Sequence, residues 1–110
     1  MILELDPHDP EHWLAQEAVR VLARGGVVAL PTDTVYGVAC DIENEEAVQR
    51  IYRLKGMDPK KLLSILCADL TMASQYTMGI PTAWFRILKR ELPGPYTFIL
   101  PASKALPRAM

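Results

Sequence analysis

The chain has 110 residues, 50% hydrophobic and 23% charged, with 12 Lys and Arg against 13 Asp and Glu for a formal net charge of −1. That composition excludes a disordered chain and a generically basic nucleic-acid binder, and it is enough apolar material for one domain with a core. No apolar run approaches the ~18 residues of a membrane span, and the two cysteines, Cys40 and Cys67, are too few for a disulfide-built scaffold.

Met1–Leu5 reads as a first strand. Asp9 then offers an N-cap with Pro10 at the first helical position, and Gly25-Gly26 stops the helix. Between them Leu14, Ala15, Ala18, Val21 and Leu22 keep helical spacing. Val27-Val28-Ala29-Leu30 is a continuous apolar run that suits a strand buried on both faces. A polar break, Pro31–Gly37, follows. Asn44 caps a second helix of about three turns that Gly56 ends. Lys61–Cys67 reads as another buried strand, Ala83–Glu91 as a third substantial helix, and Tyr96–Leu100 as the last strand. Alternating strands and helices predict an α/β sheet in two or three layers. The tail Pro107–Met110 has the character of an opening element, so an unfinished sheet is expected. The amino-terminal residues hold no basic stretch and no apolar signal core, which gives a cytoplasmic expectation.

Three places bear chemistry. The segment Pro31-Thr32-Asp33-Thr34-Val35-Tyr36-Gly37 sits directly after a buried strand, where α/β sheets place ligands. Its two hydroxyls, one carboxylate and one phenol suit a small polar molecule, or else a turn in which Thr and Asp satisfy their own backbone. Residues 50–61 hold Arg50, Arg53, Lys55, Lys60 and Lys61 against Asp58 alone, a local +4. At about 100° per residue, Ala47, Val48, Ile51, Tyr52 and Leu54 form the apolar arc, and Arg50 and Arg53 fall opposite. Lys55 projects among the apolar residues, between Ile51 and Val48, aimed either at a cavity shared with the threonine-rich turn or outward past the helix end. Lys60 and Lys61 suit phosphate contacts or ordinary loop charges. Asp6, His8, Asp9, Glu11 and His12 are explained by helix-capping chemistry, so no metal site is expected. Cys40 and Cys67 have no metal-ligand spacing and read as small core residues. Arg86 and Arg90, one turn apart, form a solvated basic face. Neither G-x-x-x-x-G-K-[ST] nor G-x-G-x-x-G is present, so a nucleotide needs another arrangement.

The stretch Gly25–Gly37 resembles the signature of the YrdC/YciO superfamily. Ile51-Tyr52-Arg53-Leu54-Lys55-Gly56 and Leu92-Pro93-Gly94-Pro95-Tyr96-Thr97-Phe98-Ile99-Leu100 match its next landmarks in order. The resemblance implies an α/β fold, a twisted sheet flanked by helices, with residues 1–110 forming a single YrdC-like domain, its amino-terminal portion only. It implies a threonylcarbamoyl-AMP synthase, a nucleotidyltransferase joining ATP, L-threonine and bicarbonate for tRNA threonylcarbamoyladenosine modification. ATP with Mg2+ would be substrate, with no tightly bound cofactor. The alternative it implies is double-stranded RNA binding without synthesis, as in the YciO branch, which Leu63–Cys67 and Pro95–Leu100 resemble more closely. Carried over by position, Thr32, Thr34 and Tyr36 would bind substrate and Lys55 would be catalytic. Lys55, Lys60, Lys61, Arg50 and Arg53 would contact nucleotide or RNA. The synthases' Lys-x-Arg pair meets Lys55 and then Met57, which predicts weaker adenylate handling because methionine offers phosphate no charge. Leu66 stands where synthases often carry His, and 1–110 does not reach a later Ser-x-Asn motif.

Overall fold

The computed structural model describes residues 1–108 and 110; of the carboxy-terminal tail, Ala109 lies outside the described residues. Its elements are α1 (His12–Ala23), β1 (Val27–Pro31), β2 (Tyr36–Cys40), α2 (Glu45–Lys55), α3 (Leu70–Gln75) and α4 (Thr82–Glu91). The strands pair antiparallel as a hairpin, from Val27 opposite Cys40 to Pro31 opposite Tyr36. Helix α1 packs on β1, and α2 packs on both strands. The helix-and-sheet class therefore holds, with the sheet of the described residues reduced to one hairpin.

The core lies under α2. Ala47, Val48, Ile51 and Tyr52 are buried, one stripe at helical spacing, and Leu88 of α4 is buried as well. Leu54, expected on that stripe, is 61% exposed instead. Asn44 caps α2 as its position predicted, its side chain accepting from Ala47 N–H at 2.9 Å. Both long amino-terminal helices end by one device. Gly25 (φ 81°) and Gly56 (φ 59°) take the left-handed conformation. The next amides then turn back, Gly26 N–H to Val21 C=O at 2.8 Å and Met57 N–H to Tyr52 C=O at 3.0 Å.

Several expectations fail, each for a local reason. Residues 1–5 form no strand. The Asp6 carboxylate accepts from His8 N–H at 2.9 Å and bends the chain before the helix. Helix α1 consequently begins at His12 rather than Pro10, with Glu11 as N-cap and no side-chain cap bond. The run 27–30 is not buried on both faces, since Ala29 is exposed and its neighbours are half-buried. Residues 61–67 and 96–100 remain extended without becoming strands, because neither finds a ladder partner among the described residues. The pairing that does form outside the hairpin is a single bridge, Thr77 with Ala102. Two elements were unforeseen: β2, whose five residues include Gly37, and α3, whose Asp69 cap accepts from Met72 N–H at 2.8 Å. Cys40 and Cys67 are free and half-buried rather than fully in the core.

Candidate functional site

The hairpin turn is held by Thr32. Its hydroxyl accepts from Thr34 N–H at 3.3 Å and Val35 N–H at 3.1 Å, donates to the Val35 carbonyl, and lies 3.3 Å from the Thr34 hydroxyl. Thr32 N–H closes the turn on Val35 C=O at 3.2 Å. Thr32 thus spends its hydroxyl on the local backbone, as the structural reading of this turn anticipates. Thr34 and Tyr36 remain exposed, Tyr36 at 77%.

Beside the turn lies an open cavity of ≈ 460 Å³, within the size range of small-molecule sites. Its floor is β2 from Gly37 to Cys40. One wall is α2 through Val48, Ile51 and Lys55, with Met57 just beyond, and the other is the extended run Lys61–Leu66 with Met72 and Tyr76. Lys55 and Lys61 are its charged groups, Ser64 and Tyr76 add hydroxyls, and no Asp or Glu lines it. The helical phase of Lys55 is therefore as the sequence indicated. Thr32, Thr34 and Tyr36 do not line this cavity; they stand at the adjoining end of the hairpin. Thr34 is three residues before Gly37, about 10 Å of extended chain.

The basic cluster divides. Arg53 faces a separate hollow on the outer side of α2 with Glu45, Glu46 and Gln49, where carboxylates outnumber the guanidinium. Arg50 and Lys60 are exposed and line neither hollow. Lys61 is held by its backbone. Its N–H donates to Asp58 C=O at 2.9 Å, and the Tyr52 hydroxyl donates to its carbonyl. The Asp58 carboxylate accepts from Lys60 N–H at 2.9 Å and tightens the same turn. Periodicity marked Tyr52 as core but gave no sign of its hydroxyl's partner. Ser64 and Tyr76 were missed with the surroundings that present them, although Asp69 ahead of an apolar residue was a legible start for α3.

Cys40, on the floor, has its thiol pKa raised by burial and then by the Asp41 carboxylate; Cys67 is raised likewise by burial and then by Asp69. Among the described residues no cluster of His, Cys, Asp and Glu suits a metal ion. No helix among them is long and apolar enough to cross a membrane.

A helix-flanked hairpin with a lysine-bearing cavity at the strand after its turn defines a small-molecule-binding α/β domain. Residues 20–110 match the family model Sua5/YciO/YrdC, described as telomere recombination, and the chain belongs to that family. It is 35% identical over 106 residues to YciO of Escherichia coli, covering 96% of this chain and 51% of that protein. It is 38% identical over 102 residues to the threonylcarbamoyl-AMP synthase of Halorhodospira halophila, covering 93% of this chain and 53% of that one. The chain spans about half the length of the curated relatives it matches. The crystal structure of E. coli YciO superposes with a TM-score of 0.82 at 36% identity, over 91% of this chain and 48% of the other. Sua5 of P. abyssi, complexed with L-threonine, gives 0.85 at 35% identity, over 91% and 29%.

Proposed function

We propose that this chain carries the nucleotide and threonine pocket of a threonylcarbamoyl-AMP synthase-like protein. The observation that carries the reading is the cavity, which presents two lysines and no carboxylate against an apolar floor. An adenylate is such a ligand, with anionic phosphates and a flat, largely apolar base. Support comes from the synthase relatives and from the threonine complex of P. abyssi Sua5. In this reading Thr34 and Tyr36, free at the hairpin end, meet threonine, and Lys55 is the catalytic cation.

The reaction would join the threonine amine to bicarbonate as a carbamate, with loss of water. A carbamate oxygen would then attack the α-phosphorus of ATP, and the bond to pyrophosphate would break. Lysine ammonium groups held beside the phosphates stabilise charge that develops on their oxygens, so the contribution is positioning and electrostatics without covalent catalysis. With no Asp or Glu on its lining, the cavity offers Mg2+ no carboxylate. The ion would arrive on the ATP phosphates as part of the substrate. Such chemistry, serving tRNA, belongs in the cytoplasm.

Calorimetric titration with ATP and L-threonine, separately and together, followed by a pyrophosphate-release assay with bicarbonate, tests the proposal. Each ligand is expected to tighten the other, with release strictly dependent on threonine. Pyrophosphate release that ignores threonine, or no binding of either ligand, would reject it.

A second reading has one observation in its favour: Arg50, Arg53 and Lys60 are exposed and lie outside the cavity. They suit duplex RNA, which is gripped through phosphates and 2′-hydroxyls without sequence preference. About three or four phosphate contacts give a salt slope of roughly −3. Lys60→Ala with Lys61→Ala should lower affinity and slope together, and an unchanged slope would remove this reading.

A further inference from the structure

We infer that Lys61 is the cavity's second anion-binding cation and that Tyr52 is the positioning residue that sets it beside Lys55. The inference rests on the nucleotide reading of the cavity and goes further by naming which cations act and what holds them. Of the five cations in residues 50–61, Lys55 and Lys61 alone line the cavity. Neither joins an ion pair among the described residues, so their charge is available to a ligand. Met57 lies on the same wall and brings no charge, so the second cation has to come from another segment of chain.

A lysine side chain is a flexible stem carrying a point charge, so its ammonium is placed only as well as its backbone is anchored. Lys61 is anchored on both sides, through its N–H to Asp58 and through its carbonyl to the Tyr52 hydroxyl. The Tyr52 ring is 7% exposed and fixed in the core beside Ile51. Tyr52 also stands three residues before Lys55 on α2, the spacing of side-chain neighbours on a helix. One buried phenol therefore references both lysines to the same turn of helix. Lys60 has its N–H fixed by the Asp58 carboxylate, yet its side chain does not line the cavity. Two ammonium groups offered from separate segments match adjacent phosphates of a polyphosphate better than a single inorganic anion.

The test is calorimetric titration of the chain with ATP and with inorganic tripolyphosphate at low salt. The variants are Lys61→Ala, Lys60→Ala, Tyr52→Phe and the double variant Tyr52→Phe/Lys61→Ala. Lys61→Ala should weaken both ligands about tenfold or more, the scale of one charge-assisted contact, while Lys60→Ala leaves them nearly unchanged. Tyr52→Phe should weaken binding in the parent chain and cost nothing further once Lys61 is gone. A purely structural tyrosine would give the same loss in both backgrounds. If ATP binds and Lys61→Ala behaves like the parent, or if the Tyr52→Phe losses simply add, this inference falls and the nucleotide reading stands. If tripolyphosphate binds with the expected pattern and ATP does not, the lysine pair stands and the nucleotide reading falls. Binding of neither overturns both. Should Tyr52→Phe fail to fold, NMR of the parent chain decides. Tripolyphosphate is expected to shift the Lys55, Lys61 and Tyr52 side-chain signals together and leave Lys60 in place; an unmoved Tyr52 or Lys61 overturns the inference.

Discussion

Met57 is the residue at which charge at the cavity can be changed most simply. It is half-buried on the wall between Lys55 and Lys61, so a longer cation there reaches the ligand without disturbing the buried stripe of α2. Met57→Arg should tighten ATP about tenfold, because a charge-assisted bond to phosphate contributes roughly 1.5–3 kcal/mol. Titration at low salt measures it, and no gain in a folded variant would show that the nucleotide does not reach this wall. The two thiols make a separate prediction. Burial raises the pKa of both Cys40 and Cys67, with Asp41 and Asp69 adding to it, so the folded chain holds these protons to higher pH than the unfolded chain does. Above the ordinary thiol range the unfolded chain ionises first, and stability contributed by the neutral thiols is lost as pH rises through their folded values. Iodoacetamide should alkylate the native chain more slowly than the urea-unfolded chain at neutral pH, with the native rate still climbing at pH values where the unfolded rate has levelled. Equal rates would show that neither thiol is protected.

At the scale of elements, the turn after α1 and the start of α2 are built against each other. A Cβ placed on Gly25 would sit 2.5 Å from the Asn44 side-chain nitrogen, and Gly25 already has φ 81°. Gly25→Ala therefore meets two penalties, the left-handed backbone at about 1–2 kcal/mol and displacement of the Asn44 cap. Asn44→Ala alone should cost about 1 kcal/mol. Gly25→Ala should cost less in that background than in the parent chain, since the cap it displaces is gone. Urea melts of the four chains measure the coupling, and strict additivity would show that the two sites do not touch. This junction also shows how far the sequence reaches. Asn44, Gly56 and the Gly25-Gly26 stop were readable because caps and left-handed glycines act within a few residues. The apolar phase of α2, and with it the direction of Lys55, was readable for the same reason. What failed needed distant partners. Residues 61–67 and 96–100 have strand composition, but a strand is made by its neighbour, and composition cannot supply one. The Tyr52–Lys61 bond spans a turn whose path periodicity does not encode. Thr32, Thr34 and Tyr36 read as one polar group, whereas the turn gives the Thr32 hydroxyl to the backbone and leaves the other two exposed.

The whole molecule is more open than its composition demands. It exposes 8955 Å², whereas a compact monomer of this mass exposes about 6,100 Å². Its radius of gyration is 15.1 Å against about 13 Å for a compact chain of this length. The excess is apolar and sits on the two extended runs: Leu62 is 81% exposed, Leu66 71% and Ile99 95%. Their backbones are open too, since no amide from Leu62 to Cys67 or from Gly94 to Leu100 donates a hydrogen bond among the described residues. The stripe of α2, by contrast, is buried and hydrogen-bonded along its length. Stability is therefore concentrated at α2 and the hairpin, with the extended runs at the low end. The 110-residue chain should bind the dye ANS in its native state and show split hydrogen exchange. Amides of α2 and of the paired strands should be protected, while those of 62–67 and 96–100 exchange near the unfolded rate. ATP or tripolyphosphate should slow exchange in 62–66, where the cavity wall is formed, more than in 96–100, which does not line it. Uniform protection with no dye binding would mean that these runs are covered in solution, for instance by self-association, and a sedimentation measurement on the same sample would then show a species larger than the monomer.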